Sequence, residues 1–102
     1  MKYTEELGKI LNHYGNLQIV QAIQELNELA VILNRTYIYE KTTGKDWFDG
    51  IDMDSVVEEI ADVEIMLAQV KVYFDIVKEE IDKVKEVKIK RTLERIKEVE
   101  EC

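Results

Sequence analysis

The segment from Ser55 to Val77 constrains the fold more than any other part of the chain. Fifteen of its 23 residues are apolar, and they recur every three or four positions, as on a helix. They form two stripes on opposite sides of that helix, one of Val56, Ile60, Val63, Leu67, Val70 and Phe74, and the other of Ala61, Ile65, Ala68 and Val72. A chain of 102 residues can scarcely cover both stripes by itself. We therefore predict a helix in a bundle that a second copy of the chain completes.

Two helices are predicted before this segment. The first runs from about residue 3 to residue 14 and ends at Gly15, whose freedom at positive φ suits a helix C-terminus. The second runs from about residue 16 to residue 37. One stripe on it predicts the side that faces the bundle core: Ile19, Ile23, Leu26, Ala30 and Leu33. Between residues 40 and 54 the periodicity fails, and glycines with polar neighbours indicate a loop.

The apolar segment and the tail supply the other two helices. Ser55 followed three residues later by Glu58 is the capping-box pattern, which predicts that the third helix begins at Ser55 and continues to about Val77. The fourth helix is expected from Lys78 to Glu101, where apolar residues keep helical register among dense charge. We therefore predict one all-α domain over residues 1–102, a bundle of about four helices per chain that is completed by dimerisation.

Charge and composition exclude several classes of function. The formal net charge is −8, and all of this negative excess lies in residues 1–77, which hold six basic and fourteen acidic residues. Such an acidic body matches a nucleic-acid backbone poorly, so no nucleic-acid polymer is expected as a partner. No stretch is long and apolar enough for a membrane span, and no membrane partner is expected. The single cysteine, Cys102, indicates no internal disulfide, so we expect a cytoplasmic protein.

Two acidic pairs lie within the apolar parts of the second and third helices. Glu25 and Glu28 are three residues apart, and so are Glu59 and Asp62. Residues three apart lie on the same side of a helix, so two packed helices would bring four carboxylates together. At an effective dielectric of about 20, two such charges roughly 4 Å apart repel by about 4 kcal/mol. The pairs therefore predict a site for a divalent cation such as Mg²⁺, Ca²⁺ or Mn²⁺, which prefer oxygen ligands.

The same acids also have a simpler interpretation. Lys88, Arg91 and Arg95 project from one side of the fourth helix, and they could pair with the acids in weak surface salt bridges. Alternatively, these cations are presented to a polyphosphate. A di-iron centre is disfavoured, because it uses a Glu-x-x-His step and the single histidine, His13, is far from either pair. Trp47, in the loop, either stacks on a nucleobase or anchors the loop against the bundle.

The acidic motifs resemble those of the MazG-like family of all-α nucleoside triphosphate pyrophosphohydrolases. The likeness rests on Gln24-Glu25-Leu26-Asn27-Glu28-Leu29 and Glu58-Glu59-Ile60-Ala61-Asp62-Val63, which are similar to the Glu-x-x-Glu and Glu-x-x-Asp motifs of that family. Tyr14-Gly15 and Lys88-Ile89-Lys90-Arg91 are similar as well, so the likeness covers nearly the whole chain in the same order. The chain looks most like the short, single-domain members found in phages and bacteria.

The resemblance implies hydrolysis of a nucleoside or deoxynucleoside triphosphate to the monophosphate and pyrophosphate, with Mg²⁺ as the cofactor and Mn²⁺ as a substitute. The metal ligands and catalytic residues that it implies are Glu25, Glu28, Glu59 and Asp62. Lys88 and Arg91, with Arg95 as a third cation, would contact the phosphates, and Gln18 would lie near the base. Family members associate as dimers or dimers of dimers, which implies a homodimer or a homotetramer.

Two departures from the family pattern leave details open. Thirty residues separate Glu28 from Glu59, towards the long end of the usual separation, which enlarges a loop without moving the ligands. Gln24 stands where many members have another Glu, so the sequence leaves one or two metal ions open. It also leaves open the preferred base and sugar, and which carboxylate acts as a base. Two other functions stand beside the hydrolase: an inactive helical interaction module, and a metal-dependent phosphatase acting on another phosphate ester.

Overall fold

The computed structural model of the chain describes residues 3–44 and 52–101. These residues form four helices: α1 (Thr4–Tyr14), α2 (Leu17–Thr43), α3 (Met53–Tyr73) and α4 (Lys78–Glu101). The two described ranges contain no strand. The prediction of an all-α fold with four helices is therefore confirmed for this part of the chain. None of its helices is long and apolar enough to cross a membrane.

α2 and α3 form an antiparallel pair. Gln18, near the start of α2, donates a hydrogen bond from Nε2 to Oε1 of Gln69, near the end of α3, over 3.3 Å. Further along the pair, Glu25 lies beside Glu59 and Asp62. The residues of α2 that pack on α3 recur at steps of three and four along the helix. They are buried or half-buried: Gln18, Ala22, Glu25, Leu29, Ile32, Thr36 and Tyr39. The acid-bearing side of α2 therefore faces α3.

A buried amide joins α1 to this pair. Gln69 is only 1% exposed, and its Nε2 donates to the backbone oxygen of Leu7 over 2.7 Å. Its Oε1 accepts from Gln18, so one side chain links three helices. Buried amide groups are normally paired in this way, because an unpaired one loses its hydrogen bonds to water. This link holds α1 across one end of the α2–α3 pair.

Both ends of α3 differ from the sequence prediction. Oδ1 of Asp52 accepts from the backbone nitrogens of Asp54 and Ser55 over 3.1 and 3.4 Å, so Asp52 is the N-cap and the helix begins at Met53. The prediction of a cap at Ser55 was wrong, because an aspartate three residues earlier already caps the helix. Ser55 instead donates its hydroxyl to Oδ2 of Asp52 over 2.8 Å. The predicted end at Val77 was also wrong.

The turn between α3 and α4 contains neither glycine nor proline. Asp75 adopts a left-handed φ of 55°, a conformation that aspartate tolerates better than most residues. The backbone nitrogen of Ile76 then donates to the oxygen of Lys71 over 2.8 Å, which closes the end of the helix. α3 therefore stops at Tyr73, and the predicted start of α4 at Lys78 is confirmed.

α2 extends six residues beyond the predicted end at Tyr37, to Thr43. It ends where Gly44 takes a left-handed φ of 72° and its nitrogen donates to the oxygen of Glu40 over 3.0 Å. Gly44 is thus a helix C-cap, a position that favours glycine because the residue has no Cβ. The first part of the predicted loop is consequently helical.

The apolar stripe predicted to face the core from α2 is largely exposed in the single chain. Ile23, Leu26 and Leu33 are 55%, 45% and 52% exposed. On α3, Ile60 and Leu67 are 42% and 40% exposed, and helical register places them on the same side of the antiparallel pair as the α2 stripe. The three helices that pack together within one chain do not cover this stripe, and its cover by a second copy, which would complete the predicted bundle core, stays a prediction.

α4 does not pack against the other three helices. All of its residues are exposed except Ile81, which is half-buried. The radius of gyration is accordingly 17.8 Å, against about 13 Å for a compact domain of this length. Within one chain, therefore, only three of the four helices pack together.

Candidate metal centre

Three carboxylates converge between α2 and α3. Glu25, Glu59 and Asp62 each offer an oxygen atom, and these three atoms lie within 4.8 Å of one another. Glu59 and Asp62 are three residues apart on α3 and so share one side of it, while Glu25 comes from the facing side of α2. All three residues are half-buried. Three of the four acids that the sequence predicted as ligands are thus within reach of a single ion.

Two oxygen atoms in this cluster have no partner among the described residues. Oε2 of Glu25 and Oε2 of Glu59 are buried and accept no hydrogen bond. The other oxygen of Glu25 accepts from Nε2 of Gln21 over 2.8 Å. A buried carboxylate oxygen without a donor is costly, because it has given up its hydration. An all-oxygen donor set with such atoms fits a hard divalent cation such as Mg²⁺ or Mn²⁺.

The electrostatics of the cluster oppose its full ionisation. Burial raises the pKa of Glu59 above its ordinary value of 4.5, and the charges of Asp62 and Glu25 raise it further. Burial likewise raises the pKa of Glu25, with smaller contributions from the charges of Glu28 and Asp62, and the hydrogen bond from Gln21 partly opposes the rise. A cation at this position would favour the ionised carboxylates and so lower both pKa values.

Glu28 lies at the edge of the cluster and is not among the three residues whose oxygens converge. It is exposed, and it lines a groove of about 310 Å³ beside the cluster. The other lining residues are Asn27, Val31, Ile32, Arg35 and Glu59. The predicted fourth ligand therefore borders the groove. A ligand in the groove would lie beside Glu28 and Glu59.

Arg35 is a residue of this site that sequence reasoning missed. It lines the groove with Glu28 and Glu59, and it follows Glu28 by seven residues, which is two turns of α2. Residues seven apart lie on nearly the same side of a helix, so this spacing is the signal that would have found it. Arg35 brings a guanidinium, a group suited to binding phosphate, to the same groove as two of the acids.

The predicted phosphate-binding residues lie on α4, away from the carboxylates. Lys88, Arg91 and Arg95 are exposed, and α4 contacts no other helix. Within residues 3–44 and 52–101 the ion pairs are Lys9 with Glu5 and Lys78 with Asp82, each between residues four apart on one helix. In this structure, therefore, the three cations neither reach the acidic cluster nor neutralise it through salt bridges.

The two residues predicted near the base have different outcomes. Gln18 is buried, and its amide donates to Gln69, so one of its functions is structural. It also lines a cavity of about 520 Å³, together with Tyr14, Leu17, Val20, Gln21 and Gln24. Trp47 lies outside the described residues. The proximity of Gln18 to a base stays a prediction.

Comparisons with known proteins show no relative. No protein-family model, no curated protein and no solved structure matches the chain. The functional inference below therefore depends on the motifs and on the geometry of the carboxylates.

Proposed function

We propose that the protein hydrolyses nucleoside or deoxynucleoside triphosphates to the monophosphate and pyrophosphate, in the manner of the MazG-like hydrolases that its motifs resemble. The supporting observation is the convergence of Glu25, Glu59 and Asp62, whose oxygens lie within 4.8 Å of one another and include two buried atoms without a donor. These residues would hold Mg²⁺, or Mn²⁺ as its substitute. Removal of triphosphates from the nucleotide pool would then be the cytoplasmic role of the protein.

The residues around the cluster suit this reaction. A divalent ion held there would neutralise charge on the phosphate oxygens and would acidify a water molecule. Glu28, which is exposed at the edge of the cluster, would accept the proton of the attacking water. The adjoining groove of about 310 Å³ would admit the triphosphate chain, and Arg35 would donate hydrogen bonds to it. Attack on the α-phosphorus then releases pyrophosphate, whose negative charge needs further cations.

A second copy of the chain belongs to the proposal, as a homodimer or a homotetramer. The chain exposes 8519 Å², roughly 2,500 Å² more than a compact monomer of its mass would expose. Obligate dimers bury about 2,000–5,000 Å² in total. The exposed residues Ile23, Leu26 and Leu33 of α2 and Ile60 and Leu67 of α3 lie on one side of the pair and offer such a surface. A second α2–α3 pair that packs on these apolar residues would complete a bundle.

The activity is tested by product analysis. The purified protein is incubated with Mg²⁺ and each ribo- and deoxyribonucleoside triphosphate, and monophosphate, pyrophosphate and phosphate are measured separately. We expect equal amounts of monophosphate and pyrophosphate, and none after chelation. Glu59→Gln should lower the rate by about 100-fold or more, because it removes a ligand charge. Its matched control is Glu58→Gln, the exposed neighbouring acid, which should keep the rate.

Two results would overturn the proposal. Release of phosphate in place of pyrophosphate would indicate a phosphatase at the same site. An absence of turnover for every triphosphate, with either Mg²⁺ or Mn²⁺, would favour the interaction module.

A further inference from the structure

We propose that α4 of one copy lies along the groove beside the carboxylates of a second copy, so that Lys88, Arg91 and Arg95 complete the phosphate site in trans. The function of these cations rests on the proposed hydrolysis, whereas the placement of α4 is a separate structural claim. The partner that closes the open side of the groove is thus a second copy of this chain, and the triphosphate would lie between the carboxylates of one copy and the cations of the other.

The first support is that no other helix of the same chain packs on α4. Its 24 residues contact no other helix. Six of its seven large apolar side chains are 49–75% exposed, and only Ile81 is half-buried. The six are Val84, Val87, Ile89, Leu93, Ile96 and Val99. Helices in proteins gain most of their stability from packing an apolar side, and isolated ones are marginal in water. A surface of this size calls for a partner.

The second support is the side of α4 on which the cations lie. Helical register places Lys88, Arg91 and Arg95 on the same side as Ile81, Val84 and Val99. One shallow groove on this side holds about 340 Å³ and is lined by Lys83, Val84, Val87, Lys88 and Arg91. An apolar surface that carries cations would pack poorly on another purely apolar surface, because the charges would lose their hydration. Its complement is an apolar surface that carries anions.

The groove beside the carboxylates is such a complement. Val31 and Ile32 supply its apolar part, and Glu28 and Glu59 supply the acids. Oε2 of Glu59 is buried and unpaired among the described residues, and the body of the chain is acidic while α4 is neutral overall. Complementary charges of this kind favour one orientation of the two surfaces and reject like-charged ones.

The third support is that α4 does not reach the groove of its own chain. The turn before it is closed by the hydrogen bond from the nitrogen of Ile76 to the oxygen of Lys71, and Asp75 adopts a left-handed φ there. With this turn intact, α4 does not reach α2. The helix meets a carboxylate groove without rearrangement only when that groove belongs to another copy.

Cross-linking tests the placement without any use of activity. In a background of Cys102→Ser, one sample carries Asn27→Cys in the groove and a second, tagged sample carries Thr92→Cys between the cations of α4. The two are unfolded and refolded together, and a short bifunctional thiol reagent is added. We expect a mixed, tag-shifted dimer in several-fold higher yield than with Glu86→Cys, which lies on the opposite side of α4.

Two results would overturn the placement. One is equal yields from Thr92→Cys and Glu86→Cys. The other is efficient cross-linking within a single chain when Asn27→Cys and Thr92→Cys are combined in it, because that would place α4 on its own groove.

Complementation tests the function of the cations in trans. Glu59→Gln lacks a working carboxylate cluster, and Lys88→Ala/Arg91→Ala lacks the cations. Each should be nearly inactive alone. Refolded together in equal amounts, they should regain about one quarter of the wild-type rate, since half of the dimers are mixed and each has one intact site of two.

If the wild-type protein is active but the mixture of the two variants regains no activity, the trans arrangement is rejected and the proposed hydrolysis stands. If the wild-type protein is inactive but the cysteine variants still give the mixed cross-link, the hydrolysis is rejected and the placement of α4 stands.

Discussion

At the residue scale, Oε2 of Glu25 and Oε2 of Glu59 are buried without a donor among the described residues. Burial raises the pKa of both carboxyls above 4.5, so the folded chain favours their protonated forms when no cation is bound. The stabilisation that protonation brings is therefore present below the unfolded value. It is lost as the pH rises through the raised folded value. Without a metal ion, the cluster weakens the fold near neutral pH.

We therefore expect Glu59→Gln to raise the melting temperature of the chelator-treated protein at pH 7. The neutral amide removes the cost of burying a charge and the repulsion with Asp62 and Glu25. The gain over wild type should shrink as the pH falls towards 4.5, because the wild-type carboxyl then becomes protonated. Thermal unfolding between these pH values measures the difference, with Glu58→Gln as the exposed control. A variant less stable than wild type at pH 7 would argue against repulsion in the cluster.

Gln69 allows a second prediction at the residue scale. Gln69→Leu should lower the free energy of unfolding by about 1–3 kcal/mol, because the oxygen of Leu7 and the amide of Gln18 lose their buried partner. Urea unfolding measures the change. Gln24→Leu, at an exposed glutamine of α2, is the control and should have little effect. Equal changes in the two variants would mean that the buried amide stabilises nothing.

At the scale of the elements, the helices could be predicted from periodicity and their partners could not. Apolar spacing located all four helices, and the acidic steps placed Glu25, Glu59 and Asp62 together. The spacing did not reveal that α2 packs on α3 through its acid-bearing side, because an apolar stripe covered by a second copy has the same pattern as one covered within the chain. The separation of α4 was hidden for the same reason.

The cap of α3 gives a prediction at this scale. The hydrogen bonds from the Ser55 hydroxyl and backbone lower the pKa of Asp52, so its stabilising effect is present above its ordinary value of 3.8 and is lost as the pH falls through the lowered value. Asp52→Ala should lower the melting temperature by several degrees at pH 7. Asp54→Ala is the control. Asp54 follows Asp52 by two residues and its side chain does not cap the helix, so this change should lower the melting temperature less. Thermal unfolding of both variants at pH 7 makes the comparison, and equal losses would show that the cap is unimportant.

At the scale of the whole molecule, the single chain exposes an unusually large surface. Its surface of 8519 Å² and its radius of gyration of 17.8 Å both exceed what a compact chain of this length needs. The exposed apolar residues of the α2–α3 pair and of α4 are part of this surface. A second copy would cover apolar surface at both places, so folding and association are expected to be coupled.

Leu33→Glu should therefore weaken association. Leu33 is 52% exposed in the exposed stripe of α2, and a charge there would be buried against the second copy. Light scattering after size exclusion should show a dimer or tetramer for the wild type and a smaller species for the variant. Asn34→Glu, at the adjacent exposed position, should leave the mass unchanged. A monomeric wild type would contradict the coupling.

Binding of Mn²⁺ tests most directly the central claim, that Glu25, Glu59 and Asp62 hold a divalent cation. The protein is titrated with Mn²⁺, and the free ion is measured by electron paramagnetic resonance. We predict specific binding that Mg²⁺ displaces, that Glu59→Gln weakens by about tenfold or more, and that Glu58→Gln leaves unchanged. Equal binding by the wild type and Glu59→Gln, or displacement by NaCl at matched ionic strength, would contradict the claim and leave the carboxylates as an ordinary acidic surface.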